Sequence, residues 1–199
     1  SSLPSKGNNE VLILTGEPEY GTRASLGELG KKLEKEHRLG ITHLELNRGV
    51  NPHRFPDLGR HLPGADLLIL SLRFVNLEES QYKALDQHLG EKPFIAVRTT
   101  THLFDFPRDS SLAAENRAFP ARHFGTPYRG HHGHDSSQVN YVMAAGHPVM
   151  RGIEPRFWTP DFHYAVNPLA IQCTPLMIGQ GLKGRQRASF KEVGGHNHA

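Results

Sequence analysis

The sequence predicts an α/β fold, a doubly wound three-layer sandwich around a mainly parallel sheet. Two observations carry this prediction. Short, fully apolar runs recur at Val11-Leu12-Ile13-Leu14, Leu67-Leu68-Ile69-Leu70 and Phe94-Ile95-Ala96-Val97. Segments with helical apolar spacing lie between them, as expected for parallel strands covered on both faces.

Each element has a local signature. Val11–Leu14 reads as a buried strand ended by Thr15-Gly16. Ser25 and Glu28 have capping-box spacing, and Leu26, Leu29 and Leu33 form the apolar stripe of a helix that Gly40 would stop. Ile41 to Leu46 alternates polar and apolar residues, the pattern of a more exposed strand. After the run at 67–70, Asn76 and Glu79 repeat the capping spacing, and Tyr82, Leu85 and Leu89 supply a buried stripe before Gly90. The run at 94–97 reads as another buried strand. This arrangement is flavodoxin-like, and one domain over residues 1–199, with an ordered core of about 10–182, accounts for it. No internal repeat or interdomain linker stands out.

From about Phe106 to Ser137 the periodicity dissolves into a stretch rich in Pro, Arg, Gly and His, the profile of a functional loop. Val139 to Ala145 resumes order, and Pro175 to Ile178 reads as a last strand. The segment from Gly179 to Ala199 has little to bury.

Composition narrows the classes of function. With 37% hydrophobic and 22% charged residues, the chain is globular and carries no apolar stretch of membrane-spanning length. The net charge of +3 is scattered, and Lys31, Lys32 and Lys35 interleave with Glu28, Glu34 and Glu36. That is a solvated helix face, so neither nucleic acid nor a membrane is expected as a partner. The single cysteine, Cys173, allows no internal disulfide. The polar segment at residues 1–9 has no signal-peptide core, but a leader removed before Ser1 would leave such a start; cytoplasmic and exported locations both stay open. Histidine is in excess, with 14 residues, of which His196 and His198 sit in the tail.

Three constellations can carry chemistry. In a parallel sheet, the strand ends bring Glu17, Glu19 and Tyr20, then Arg73, then Arg98 and His102 to one rim. Glu19 and His102 suit acid/base work, and Arg73 and Arg98 suit the orientation of a polar substrate. The alternative is a surface pair between Arg73 and Glu19, and the two readings stand level. The second constellation is His131-His132-Gly133-His134-Asp135. Its imidazoles at His131, His132 and His134 are candidate ligands for a divalent metal such as zinc, or a polar loop whose histidines, His132 and His134 included, hydrogen-bond substrate or transfer protons. The third joins His147-Pro148 to Trp158-Thr159-Pro160-Asp161-Phe162-His163-Tyr164. Rings beside a carboxylate suit sugars, with Asp161 and Tyr164 assigned to a site, Trp158 to the core, and Phe157 and Phe162 open to either.

The turn after Phe94–Val97 matches the place where class I glutamine amidotransferases carry a nucleophilic Cys. Here the matching position is Thr99, with His102 three residues on, and no base beside Thr99 is evident.

Taken in order, Gly16-Glu17-Pro18-Glu19-Tyr20, Ala65–Leu70 with Arg73-Phe74, and Lys92–His102 resemble the trehalose-utilisation (ThuA-like) family. Phe124-Gly125, His131–His134, His147-Pro148 with Gly152-Ile153, and Asp161 with Tyr164 extend the resemblance over about residues 11–182. It implies a class I amidotransferase-like sandwich without the glutaminase Cys, and a role in carbohydrate metabolism with a trehalose-like disaccharide or its keto form as substrate. Carried over residue by residue, it implies a site of Glu19, Tyr20, Arg73, Arg98, His102, His132, His134, His147, Asp161 and Tyr164. Relatives usually continue past Gly179-Gln180-Gly181 through further strands and a helix. Either the C-terminus is shortened here or the natural chain continues beyond the given residues; a shortened end would expose a sheet edge and favour a homo-oligomer. Three functions are expected in descending order: an enzyme on a sugar or keto-sugar, a non-catalytic sugar-binding or sensing protein, and a structural subunit.

Overall fold

The apolar runs of the first half do pair side by side in parallel. In the computed structural model, which describes residues 9–161, 164–165 and 168–184 and the backbone of 191–198, strands β1 (Glu10–Gly16), β2 (Gly40–Glu45), β3 (Leu67–Leu72) and β4 (Phe94–Ala96) form one sheet in the order β2-β1-β3-β4. Val11 registers with both Ile41 and Leu67, and Leu68 with Phe94. Helices α1 (Thr22–His37), α2 (Leu58–His61), α3 (Glu79–Glu91) and α4 (Glu115–Phe124) connect and cover it.

The period-2 alternation of strand side chains splits the core into two layers. Val11, Ile13 and Ile69 pack with Leu26 of α1 on one face. Leu12, Leu14, Leu68, Leu70 and Leu72 pack on the other with Leu58 of α2, Tyr82, Leu85 and Leu89 of α3 and Phe119 of α4. Apolar groups on both faces explain why β1 and β3 read as unbroken apolar runs, and the doubly wound, flavodoxin-like class follows.

Several local expectations differ. Gly21, in the left-handed region, is the N-cap of α1. Ser25 lies inside the helix, its hydroxyl donating to the Thr22 carbonyl at 3.4 Å, so the Ser25–Glu28 box does not form. The left-handed stop is Arg38 at φ 54°, and Gly40 opens β2. The face of α1 toward the sheet runs through Leu26, Gly30 and Leu33, while Leu29 is exposed. A Cβ on Gly30 would come within 3.0 Å of Ile41 and 3.2 Å of Ile13, so the glycine sets how closely the helix approaches. Asn76 does not cap α3, whose N-cap is Glu78; its side-chain amide is committed to Asn51 at 2.8 Å. Strand β4 is short and at the sheet end, with Ile95 51% exposed rather than buried.

The stretch expected to be a loop contains α4. Phe119 is fully buried there, although Pro120 sits inside the helix. Arg122 reaches Asp86 on α3 at 2.7 Å and Glu115 at 3.0 Å, and His123 Nε2 meets the same Asp86 oxygen at 2.7 Å.

Residues 1–124 and 125–199 are two compact units. The second is built on an antiparallel sheet, β6-β5-β7-β8, from β5 (Ser136–Val142), β6 (Arg156–Thr159), β7 (Met177–Lys183) and β8 (Lys191–His198). Order thus resumes at Ser136, and the strand expected at 175–178 runs instead from Met177 through the glycines to Lys183. Gly179 to Lys183 is strand because its backbone pairs with residues 136–140 of β5. Phe157 and Trp158 are half-buried, and the indole N–H donates to Ser137 Oγ at 3.1 Å. Phe162 and His163 lie outside the described residues, as do the side chains of His196 and His198. Among the described residues no helix is long and apolar enough to cross a membrane.

Candidate functional site

The sheet order reverses direction between β1 and β3, since β2 lies on one side of β1 and β3 on the other. Ligands of open α/β sheets sit beyond the carboxyl ends at such a switch point. The first constellation converges there. Arg73, one residue past β3, forms an ion pair with Glu19 beyond β1, and its Nε donates to His102 Nε2 at 3.4 Å. The His102 Nδ1 lies 3.4 Å from the Thr101 hydroxyl. Arg98, past β4, lays its guanidinium 4.6 Å from the centre of the Tyr20 ring. The first unit therefore brings together Glu19, Tyr20, Arg73, Arg98 and His102.

Glu17 has a different task. It is 7% exposed, and its carboxylate accepts the backbone N–H groups of Glu19 and Tyr20 and, at 3.2 Å, the Thr22 hydroxyl. Those bonds fold the turn that presents Glu19 and Tyr20, and they leave Glu17 as a scaffold.

Neither Cys nor Ser occupies the turn after β4, which reads Arg98-Thr99-Thr100-Thr101-His102. A nucleophile elbow places its reactive residue at a strained strand-to-helix corner. The strained residue here is Arg98, at φ 43°, one position before Thr99. Thr99 is buried with its hydroxyl donating to the Leu72 carbonyl at 3.2 Å. Thr100 is likewise buried, donating to Leu70 at 3.0 Å. Both hydroxyls bolt the turn to β3.

Two residues of this rim carried no role in the sequence reading. Arg48, beyond β2, donates to the carbonyls of Gly16, Arg73 and Phe74, so one side chain clasps the ends of β1 and β3. Its burial draws the guanidinium pKa below its usual value, with Glu17 pulling the other way. Applying the strand-end rule to the second strand as well as the others would have found it. Phe74 packs its ring 5.2 Å from His102 and under the Arg73 guanidinium at 4.5 Å.

In the second unit, His131 and His134 rings lie 5.0 Å apart, and His131 bridges to Tyr164, whose ring meets Tyr128 at 5.2 Å. His131 Nδ1 turns to the His132 carbonyl, while the His132 ring lies where a Cβ on Gly181 would touch it at 3.5 Å. The three histidines are therefore not gathered around one point. Among the described residues no three His, Cys, Asp or Glu side chains are grouped to hold a metal ion. Adjacent residues of an extended segment point to opposite sides, which separates His131 from His132. His147 stands on an exposed turn, its Nδ1 accepting the Val149 N–H at 3.3 Å. Asp161 lies just beyond the end of β6.

No protein-family model matches the chain, and neither does a curated protein. Solved structures do. A protein designated ThuA-like from Bacteroides uniformis ATCC 8492 is similar with a TM-score of 0.62 at 11% identity, over 89% of this chain and 70% of its own. Another ThuA-like protein, from Parabacteroides merdae ATCC 43184, gives 0.53 at 13% identity, over 89% of this chain and 63% of its own. At these identities the likeness is one of fold. The chain has the fold of ThuA-like proteins and spans about two thirds of their length.

Proposed function

We propose that this chain serves carbohydrate metabolism, as an enzyme on a sugar, disaccharide or keto-sugar without glutaminase activity. The observation that carries the proposal is the connected set Glu19, Arg73 and His102 at the switch point of the parallel sheet. Carboxylate and guanidinium together match the hydroxyl pairs of a sugar, and an imidazole beside them is a side chain suited to proton transfer. The ThuA-like fold and the sequence resemblance to the trehalose-utilisation family point the same way. In this reading Arg73 and Arg98 orient substrate, Tyr20 lines the site, and His102 and Glu19 exchange protons.

A second reading is a sugar-binding or sensing protein. It is favoured by Arg98 holding the elbow position and by Thr99 being committed inside the fold. One experiment separates the two: incubation with trehalose and with its keto form, with binding and products followed by NMR. An enzyme turns one of them over, and His102→Ala cuts turnover by about 100-fold or more while affinity stays. Affinity without turnover selects the binder. No affinity for either sugar sinks both.

A further inference from the structure

The geometry points to Phe74 as a ring-stacking platform, which makes the preferred ligand a closed pyranose rather than an open-chain polyol. This inference rests on the sugar reading of the same rim. Among the described Phe, Tyr and Trp side chains only two are exposed, Phe74 at 46% and Tyr20 at 36%. Both belong to the switch-point site, and they follow the ends of β3 and β1, the two strands between which the order reverses. Burying these rings would normally be favourable, so their joint exposure at one rim marks a surface kept for an apolar partner.

Phe74 is also held in an uncommon conformation. Its φ is +51°, in the left-handed region that non-glycine residues avoid. Arg48 secures that turn by donating to the Phe74 carbonyl at 3.4 Å and to the carbonyls of Arg73 and Gly16. On the other side, the Phe74 N–H donates to the His102 carbonyl at 3.4 Å, and Val75 N–H to Leu103 at 2.7 Å. Strain sustained by surrounding bonds collects at functional positions. The ring is steadied by the Arg73 cation at 4.5 Å and by the His102 ring at 5.2 Å.

The chemistry then selects the ligand. A pyranose presents a patch of C–H bonds on one face and hydroxyls around its edge. The patch would lie on Phe74, and the edge would meet Arg73, Glu19 and His102. An open-chain polyol has the same hydroxyls but no rigid C–H face to offer, and it would lose more conformational freedom on binding. Arg48 acts here as a positioning residue.

The test titrates the full chain with methyl β-D-glucopyranoside and with glucitol, using calorimetry and saturation-transfer NMR. The pyranoside should bind more tightly than glucitol, with its ring C–H protons receiving saturation. Phe74→Ala should weaken the pyranoside about five- to tenfold, Phe74→Trp should retain it, and both should melt close to the parent because the side chain is half-exposed. Arg48→Gln should weaken it similarly and shift the His102 ring resonances, which report the neighbouring Phe74 ring. Equal affinity of parent and Phe74→Ala, or of pyranoside and glucitol, overturns the inference and leaves the sugar reading standing. Failure of the parent chain to bind trehalose or the pyranoside removes the sugar reading and this inference with it.

Discussion

His88 is an inward-facing residue of α3, 7% exposed, and its Nε2 is buried without a partner. Burial, reinforced by Lys92, pulls its pKa below the usual histidine value, while Glu91 opposes. His43 beside Thr15 is lowered too, chiefly by burial. In both cases the unfolded chain takes up a proton at a higher pH than the folded one. Stability is therefore full above the unfolded pKa of about 6.5 and falls as the pH drops below it. Urea unfolding at pH 7.5 and 5.5 should show this loss. His88→Leu removes a buried unpaired nitrogen at similar volume, so it should raise stability by about 1 kcal/mol and flatten the pH dependence. A parent chain equally stable at both pH values would contradict the assignment.

At the scale of elements, α4 is fastened to α3 by charge as well as by Phe119. Asp86 receives both Arg122 and His123. Burial by itself would raise the Asp86 pKa, but the hydrogen bonds and charges of His123 and Arg122 together outweigh it and hold the carboxyl below its ordinary value. The contribution is present above the unfolded carboxyl pKa and is lost as pH falls through the folded one. Asp86→Ala leaves the buried His123 ring without its acceptor and should cost about 1–3 kcal/mol, read from the shift of the denaturation midpoint at constant slope. Tyr82 sits at the same junction, and burial pushes its hydroxyl pKa up to about 12. None of this fastening was legible locally. Residues 115–124 carry a weak apolar face and an internal proline, and both features argue against a helix when neighbours are ignored. Similarly, the capping boxes failed because Ser25 and Asn76 have the right spacing but found other partners.

At the scale of the whole molecule, both hydrophobic cores around the parallel sheet are made from residues before position 125. Residues 9–124 produced alone should therefore fold cooperatively, with one thermal transition. That fragment contains Glu19, Tyr20, Arg73, Phe74, Arg98 and His102. Titrating it with trehalose beside the full chain measures what the second unit adds to binding. A fragment with no transition would refute the independence of the first unit.

By itself the sequence determined the strand–helix alternation of the first unit and the convergence of Glu19, Arg73, Arg98 and His102. Continuous apolar runs and strand-end positions are local patterns, and parallel pairing fixes where such ends point. Only the tertiary structure decided which of the polar residues are taken up by the scaffold. Glu17 and Glu19 are both acidic groups beyond β1, yet one is consumed by backbone N–H groups and the other meets Arg73. Arg48 reaches carbonyls from two other strands, and Phe74 takes a backbone conformation that its residue type disfavours. The antiparallel sheet of the second unit was legible only in part, as order resuming at Val139 and a strand near residues 175–178. Strand β7 runs on through Gly179 and Gly181, which have no side chain to carry the alternation of a strand, so that part left little trace.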